Sequence, residues 1–182
     1  MTKTQSNMDN QKEMEQFLKI LSPSMRVRVT NHIFEQAILK NPIFCDKMDV
    51  VEYIIDYIEP KLFFPEDSII KMGSQGKLIF FIANGDCQVS ISNHLKQPVS
   101  VNELHQGDYF GEIAVLFGTT RSSNIDSLNY CTLAHLSSQY LQKLANICPE
   151  LYESLKERAL ETYCDDWIEF KTVLLQQIDY FN

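Results

Sequence analysis

Basic charge, paired cysteines and long apolar runs are what this sequence has little of. Sixteen Lys and Arg stand against 24 Asp and Glu, for a net charge of −8. Nothing therefore draws the chain as a whole toward nucleic acid or anionic membrane, and a bound anion must be held by a few placed donors against the overall field. The five cysteines, Cys45, Cys87, Cys131, Cys148 and Cys164, are odd in number and scattered singly, without a CxxC pair or a histidine at metal spacing. That argues against a disulfide framework and a structural zinc site, and reduced cytosolic thiols are expected. The longest strongly apolar run, LIFFIA at 78–83, is far short of the ~20 residues of a membrane helix. The first 16 residues hold no apolar stretch of the kind a signal peptide needs.

What is present suits a globular chain: 182 residues, 45% hydrophobic and 22% charged. A ~150-residue domain buries roughly 68–70% of its unfolded surface, so the length accommodates one compact domain plus an appendage. From Met14 to Phe44 apolar residues recur at three- and four-residue steps (Phe17, Leu18, Leu21, then Met25, Val29, Ile33, Phe34, Ala37, Ile38). This predicts helices, one ending near Leu21 and one starting at Ser22-Pro23 as cap and first turn. Asn41-Pro42 should close the second. A third helix is expected over Asp46 to Ile58. After Pro60 the texture changes. Residues 61–136 show short runs, KLFF, SIIKM, KLIFFIA, CQVSIS, PVSVNEL, SNIDS and YCTLAHL, punctuated by FPED, MGSQGK, ANGD and HQGD. So many short strands with turn signals between them predict an antiparallel roll or barrel. From Ser137 the pattern is helical again, with a stop at Cys148-Pro149 and a long stretch onward to about Ile178. Its stripe, Tyr152, Leu155, Ala159, Tyr163, Trp167, Phe170 and Leu174, reads in its first half as core.

Within the roll, YFGEIAVLFGTTRSSNID at 109–126 carries two charges with no obvious surface role, Glu112 and Arg121. It reads as a turn, a short helix and a strand. Gly107 and Gly111 permit backbone conformations and close approaches denied to other residues. A helical turn opening at Glu112 would offer free N–H groups to an anion, and Arg121 adds a permanent fork shaped for phosphate. An ionised Glu112 is acceptor-only and suits a sugar hydroxyl. The plainer alternative is a salt bridge, or two solvated side chains.

The same stretch resembles the phosphate-binding cassette of cyclic nucleotide-binding domains. Phe110, Gly111, Glu112, Ile113, Ala114, Leu116, Arg121, Ser122, Ser123 and Ile125 fall on that pattern in register. Upstream, FPEDSIIKMGSQGKLIFFIANGDCQVSI is similar to the family's first roll strands, with Gly73, Gly76 and Gly85 as turn glycines. The helical leader LSPSMRVRVTNHIFEQAILKNPIF at 21–44 resembles the last helices of the C-linker in cyclic nucleotide-gated, hyperpolarisation-activated and ether-a-go-go-type cation channels. Two departures stand out: Thr120 precedes the arginine where proline is frequent, and Glu66 stands where glycine is common.

The resemblance implies an α+β fold, an antiparallel, jelly-roll-like β-roll flanked by N-terminal linker helices and C-terminal lid helices. The layout expected is a disordered tail at 1–12, linker-like helices at 13–44, the nucleotide-binding domain at 45–170 with its roll at 61–136 and lid helices at 137–170, and an extension at 171–182. It implies cGMP or cAMP as ligand, with no other cofactor, no metal and no catalysis. The binding residues implied are Phe110, Gly111, Glu112, Ile113, Ala114, Arg121, Ser122 and Ser123, with Thr162 and Asp166 near the base. Asp166 falls where cGMP-preferring channels carry an acid, which leans the reading toward cGMP. Partners implied are the nucleotide and other copies of the chain, as a homotetramer or another homo-oligomer, on the cytoplasmic side of a membrane reached only through a pore absent from this sequence.

Other functions fit less well. A module with a vestigial pocket, or one filled by the tail LLQQIDYFN, remains open. An enzyme would need a metal or general base beside the phosphate; His32, His94, His105 and His135 each stand without a metal partner or nucleophile in the sequence. A DNA-binding regulator would need a basic recognition helix, and the 33 residues after Pro149 are acidic and aromatic.

Overall fold

The computed structural model describes residues 20–92 and 98–164. The expectations for the tail at 1–12, the helix from Met14, His94, the helical pattern beyond Cys164 and the extension at 171–182 lie outside the described residues.

Helix α1 (Pro23–Ile38) opens as the Ser-Pro pair requires: the Ser22 side chain accepts from the Met25 N–H at 3.4 Å, and Pro23 takes the first turn, where its missing N–H costs nothing. It stops three residues before Asn41-Pro42, because Asn41 organises a turn of its own. Its N–H donates to the Ile38 carbonyl at 3.0 Å and its Oδ1 accepts from the Ile43 N–H at 3.2 Å. The apolar stripe is used only in its second half. Phe34, Ala37 and Ile38 are buried, whereas Met25 is 52% exposed. Helix α2 (Met48–Tyr57) follows.

Eight strands come next: β1 (Glu59–Phe63), β2 (Ser68–Ile70), β3 (Leu78–Asn84), β4 (Cys87–Ser92), β5 (Pro98–Leu104), β6 (Tyr109–Phe110), β7 (Asn124–Ser127) and β8 (Cys131–Ser137). They form two four-stranded sheets, ordered β1-β8-β3-β6 and β2-β7-β4-β5, with every pairing antiparallel. Thus the antiparallel roll with flanking helices is the fold. Strand β1 includes Pro60, which sequence reading placed before the roll; β1 is an edge strand, where a proline's missing donor is tolerated. The two-residue β6 is too short to leave a periodic signal.

Phe63, Ile70, Phe80, Ile82, Val89, Phe110, Ile125 and Leu133 fill the roll. A second core joins Ile38, Phe44, Val50, Val51 and Ile54 to the one-turn helix α3 (Glu112–Leu116), to α4 (Ser138–Ile147) and to α5 (Pro149–Cys164). Phe34 and Ala37 of α1 meet Ala83 and Ala134 on the outer side of the β3 and β8 strands. In α5 the core stripe is Leu151, Leu155 and Ala159, one residue before the expected Tyr152, which is half-buried at the edge of that core.

Candidate ligand-binding site

Strand β6 is held by β3 through the pairs Phe80–Phe110 and Phe81–Tyr109. Phe110 stacks on Phe80 with ring centroids 5.1 Å apart and planes at 14°, which fixes the strand's end in the core. Gly111, at φ 82°, then turns the chain out of the sheet into α3. That conformation strains any residue with a Cβ. Ile113 and Leu116 bind α3 to the core shared with Leu151, Leu155 and Ala159 of α5.

The chain returns through Gly118, Thr119 and Thr120 to a backbone anchored on the β2–β3 loop. Arg121 N–H donates to the Ser74 carbonyl and Gly73 N–H donates to the Arg121 carbonyl, both at 2.8 Å. Thr120 bridges Gln75. Arg121 is therefore placed by main-chain bonds that do not depend on its side chain.

That side chain is 7% exposed. Its Nη1 donates to the Gly111 carbonyl at 2.6 Å and its Nη2 to the Leu78 carbonyl at 2.8 Å. Glu112 is also 7% exposed. Burial pushes its carboxyl up to about 7, against the opposing pull of its own backbone N–H and of the Arg121 charge. Burial lowers Arg121 in turn, opposed by Glu112. Among the described residues the two side chains form no ion pair with each other, so neither the salt-bridge nor the solvated alternative holds. They are two buried groups of opposite sign facing a common space.

That space is a cavity of about 20 Å³ lined by Ile70, Gly111, Glu112, Ile113, Ala114, Arg121, Ser122, Ser123 and Ile125. Seven of the residues anticipated from the sequence, Gly111, Glu112, Ile113, Ala114, Arg121, Ser122 and Ser123, meet there. Phe110 does not: it is 3% exposed in the interior of the roll, so its part is to anchor the turn rather than to line the cavity. Thr162 lies on α5, but its side chain, like all of Asp166, is outside the described residues. Sequence reading missed Ile70 as a cavity wall and the carbonyls of Leu78 and Gly111 as acceptors for the guanidinium. Backbone acceptors leave no residue-type signal, so nothing in the sequence marked them.

One of the three expected turn glycines differs from expectation. Gly73 and Gly85 have φ of 79° and 96°, as turn glycines should. Gly76 lacks a positive φ, and its importance lies in what stands over it: a Cβ there would meet Arg121 Nε at 2.5 Å. Conversely, Glu66 has φ 69°, the glycine-like conformation that its position in the turn implied.

The remaining polar groups form smaller structures. Cys87 and Cys131 are buried with Sγ atoms 3.8 Å apart. His105 Nδ1–H donates to the Asp86 carboxylate at 2.8 Å, and that bond raises its pKa. His135 stands 3.4 Å from Glu59, and His32 is exposed 3.8 Å from Glu35. Among the described residues no group of three or more His, Cys, Asp or Glu is arranged to hold a metal ion, and no helix is long and apolar enough to cross a membrane.

The sheet order, the glycine-turned helix α3 and the buried arginine behind it define a β-roll with a polar cavity at the start of α3. The model of the cyclic nucleotide-binding domain family matches residues 60–147. These residues form a cyclic nucleotide-binding domain, homologous to those of cyclic nucleotide-gated channels and protein kinase A regulatory subunits. The cyclic nucleotide-gated channel alpha-3 of Homo sapiens is 28% identical over 160 residues, covering 84% of this chain and 22% of that protein. Among solved structures, the regulatory domain of Toxoplasma gondii PKA with cAMP is similar at a TM-score of 0.65 and 20% identity, covering 72% of this chain and 50% of that one. The regulatory subunit of a cAMP-independent protein kinase A from Trypanosoma brucei reaches a TM-score of 0.66 at 18% identity, covering 80% and 53%. The chain thus spans about a fifth of the length of the curated relatives that it matches.

Proposed function

We propose that this domain binds a purine cyclic nucleotide, cGMP or cAMP, as a regulatory module of a channel-like protein. One observation carries the reading: Glu112 and Arg121 are both buried and line one cavity without forming an ion pair with each other. The Arg121 guanidinium has five N–H donors, and two are committed to carbonyls; the others can take an anionic phosphate at charge-assisted strength. The Glu112 carboxylate accepts a ribose hydroxyl, and Ser122 and Ser123 supply hydroxyls on the same wall.

Binding drives a conformational change only through contacts that differ between the two states. Helix α3 and helix α5 share one apolar core, so a shift of α3 toward a bound phosphate is felt directly at Leu151 and Leu155. We read α5 and the residues after it as a lid over the base, with Thr162 and Asp166 as base readers and cGMP favoured. Helix α1, packed on β3 and β8 by Phe34 and Ala37, carries the output. The likeness to the human channel extends well beyond residues 60–147, to 84% of the chain. That supports linker helices leading to a pore, fourfold association and a cytoplasmic position.

Arg121→Ala tests the phosphate assignment. Affinity for cyclic nucleotide should fall more than ~10-fold, from the ~1.5–3 kcal/mol of a hydrogen bond to a charged group; equal affinity would overturn it. Removal of residues 174–182 tests the alternative, a nucleotide-independent module with a self-occupied pocket. Binding that appears only after truncation would favour it.

A further inference from the structure

We infer that Gly76 is a positioning residue of this site: its bare face is the bed on which the Arg121 guanidinium lies and the stop against which α3 rests. Its backbone does not require glycine, because its φ is not in the left-handed region. What requires glycine is proximity. A Cβ built there would stand 2.5 Å from Arg121 Nε, 2.6 Å from Arg121 Cζ and 2.7 Å from Ala114 Cβ. By contrast, Gly73 and Gly118 have nothing within 4 Å.

The loop beneath cannot retreat from an added methyl. It is strapped to the Arg121 backbone by Gly73 N–H to the Arg121 carbonyl, by Arg121 N–H to the Ser74 carbonyl and by the Gln75–Thr120 bridge. What yields is the flexible end of the arginine, together with Ala114 on a one-turn helix. Gly76 therefore sets the height of the guanidinium above the loop, and with it the two bonds to Gly111 and Leu78. It also sets the gap between the guanidinium and α3. Those are the two walls between which an anion would sit, and in its ligand arm the inference rests on the nucleotide-binding reading.

The test uses Gly76→Ala in the full chain, with two readouts. The first needs no ligand: the Arg121 guanidinium N–H resonances, followed by NMR, should be resolved and slow to exchange in the wild type. In Gly76→Ala they should shift and exchange at least ~10-fold faster as the bonds to Gly111 and Leu78 open, while the backbone spectrum away from the cavity is kept. The second is titration with cGMP and cAMP. Affinity should fall at least ~10-fold in Gly76→Ala, a loss of about 1.4 kcal/mol or more at the factor of ten per 1.36 kcal/mol.

Unchanged Arg121 resonances overturn the inference, as does full affinity in a variant whose resonances have moved. A wild type that binds no cyclic nucleotide overturns the ligand reading alone, since the NMR comparison still decides the position of Arg121. If Gly76→Ala does not fold, the pair Gly76→Ala with Ala114→Gly, which removes one of the two collisions, takes its place under the same criteria.

Discussion

Arg121 turns its guanidinium onto the carbonyl of Gly111, 2.6 Å away, and not onto the carboxylate of Glu112, the next residue along. The arrangement leaves the acid without its obvious partner and the arginine with donors to spare. Gly111, at φ 82°, is the turn where α3 leaves the sheet, which puts its carbonyl and the Glu112 carboxyl at the same end of the helix.

Arg121→Lys should be nearly as damaging to ligand affinity as Arg121→Ala, despite keeping the charge. An ammonium cannot reach the Gly111 and Leu78 carbonyls and a phosphate in one plane as a fork does. Calorimetric titration of the three proteins side by side checks this; affinity in the lysine variant within twofold of wild type would show that charge alone suffices.

The raised carboxyl of Glu112 gives a pH dependence with a definite sign. Its folded pKa of about 7 lies above the ordinary carboxylate value, so the folded state binds the proton more tightly than the unfolded state. Its contribution to stability is complete below the ordinary carboxylate range and is lost as pH rises through about 7. Relative to Glu112→Gln, the wild type should therefore lose stability between pH 5 and pH 8. Urea unfolding at a series of pH values reads the difference, and a gap independent of pH contradicts the buried-carboxyl account.

Glu66 occupies a left-handed conformation with φ 69°, while its N–H donates to the Ser127 carbonyl at 2.8 Å. Asparagine accepts that conformation more readily and keeps the backbone bond. Glu66→Asn should stabilise the fold by about 0.5–1 kcal/mol, a rise in Tm of roughly 1–4 °C for a chain of this size. Thermal unfolding by circular dichroism is sufficient.

Phe34 is fully buried between α1 and the alanines of β3 and β8. Phe34→Ala should cost about 3–5 kcal/mol if α1 is an integral part of the folded body. A cost below ~1 kcal/mol in denaturant unfolding would mean that α1 is only an attached leader.

The strands were legible because SNIDS, YCTLAHL and KLIFFIA are short apolar runs bounded by turn signals, and the helices because Ser22-Pro23 is a local start and Cys148-Pro149 a local stop. Asn41 shows the limit of that reading: its side chain bonds to the Gly107 carbonyl at 3.2 Å, a contact 66 residues away, and it organises the turn that ends α1 early. At the site, the residue types and spacing of Glu112, Arg121, Ser122 and Ser123 were visible. Their mutual geometry was not, because it is set by the carbonyls of Leu78 and Gly111 and by the missing side chain of Gly76. Phe110 was visible too, but pattern could not tell a residue that lines the cavity from one that anchors its wall.

The most direct test of the central claim is isothermal titration of the full chain with cGMP and, separately, cAMP at one fixed salt concentration. The account predicts saturable binding of at least one nucleotide in the micromolar range or tighter, abolished or weakened more than ~10-fold by Arg121→Ala. No heat with either nucleotide, from protein shown to be folded, would contradict it.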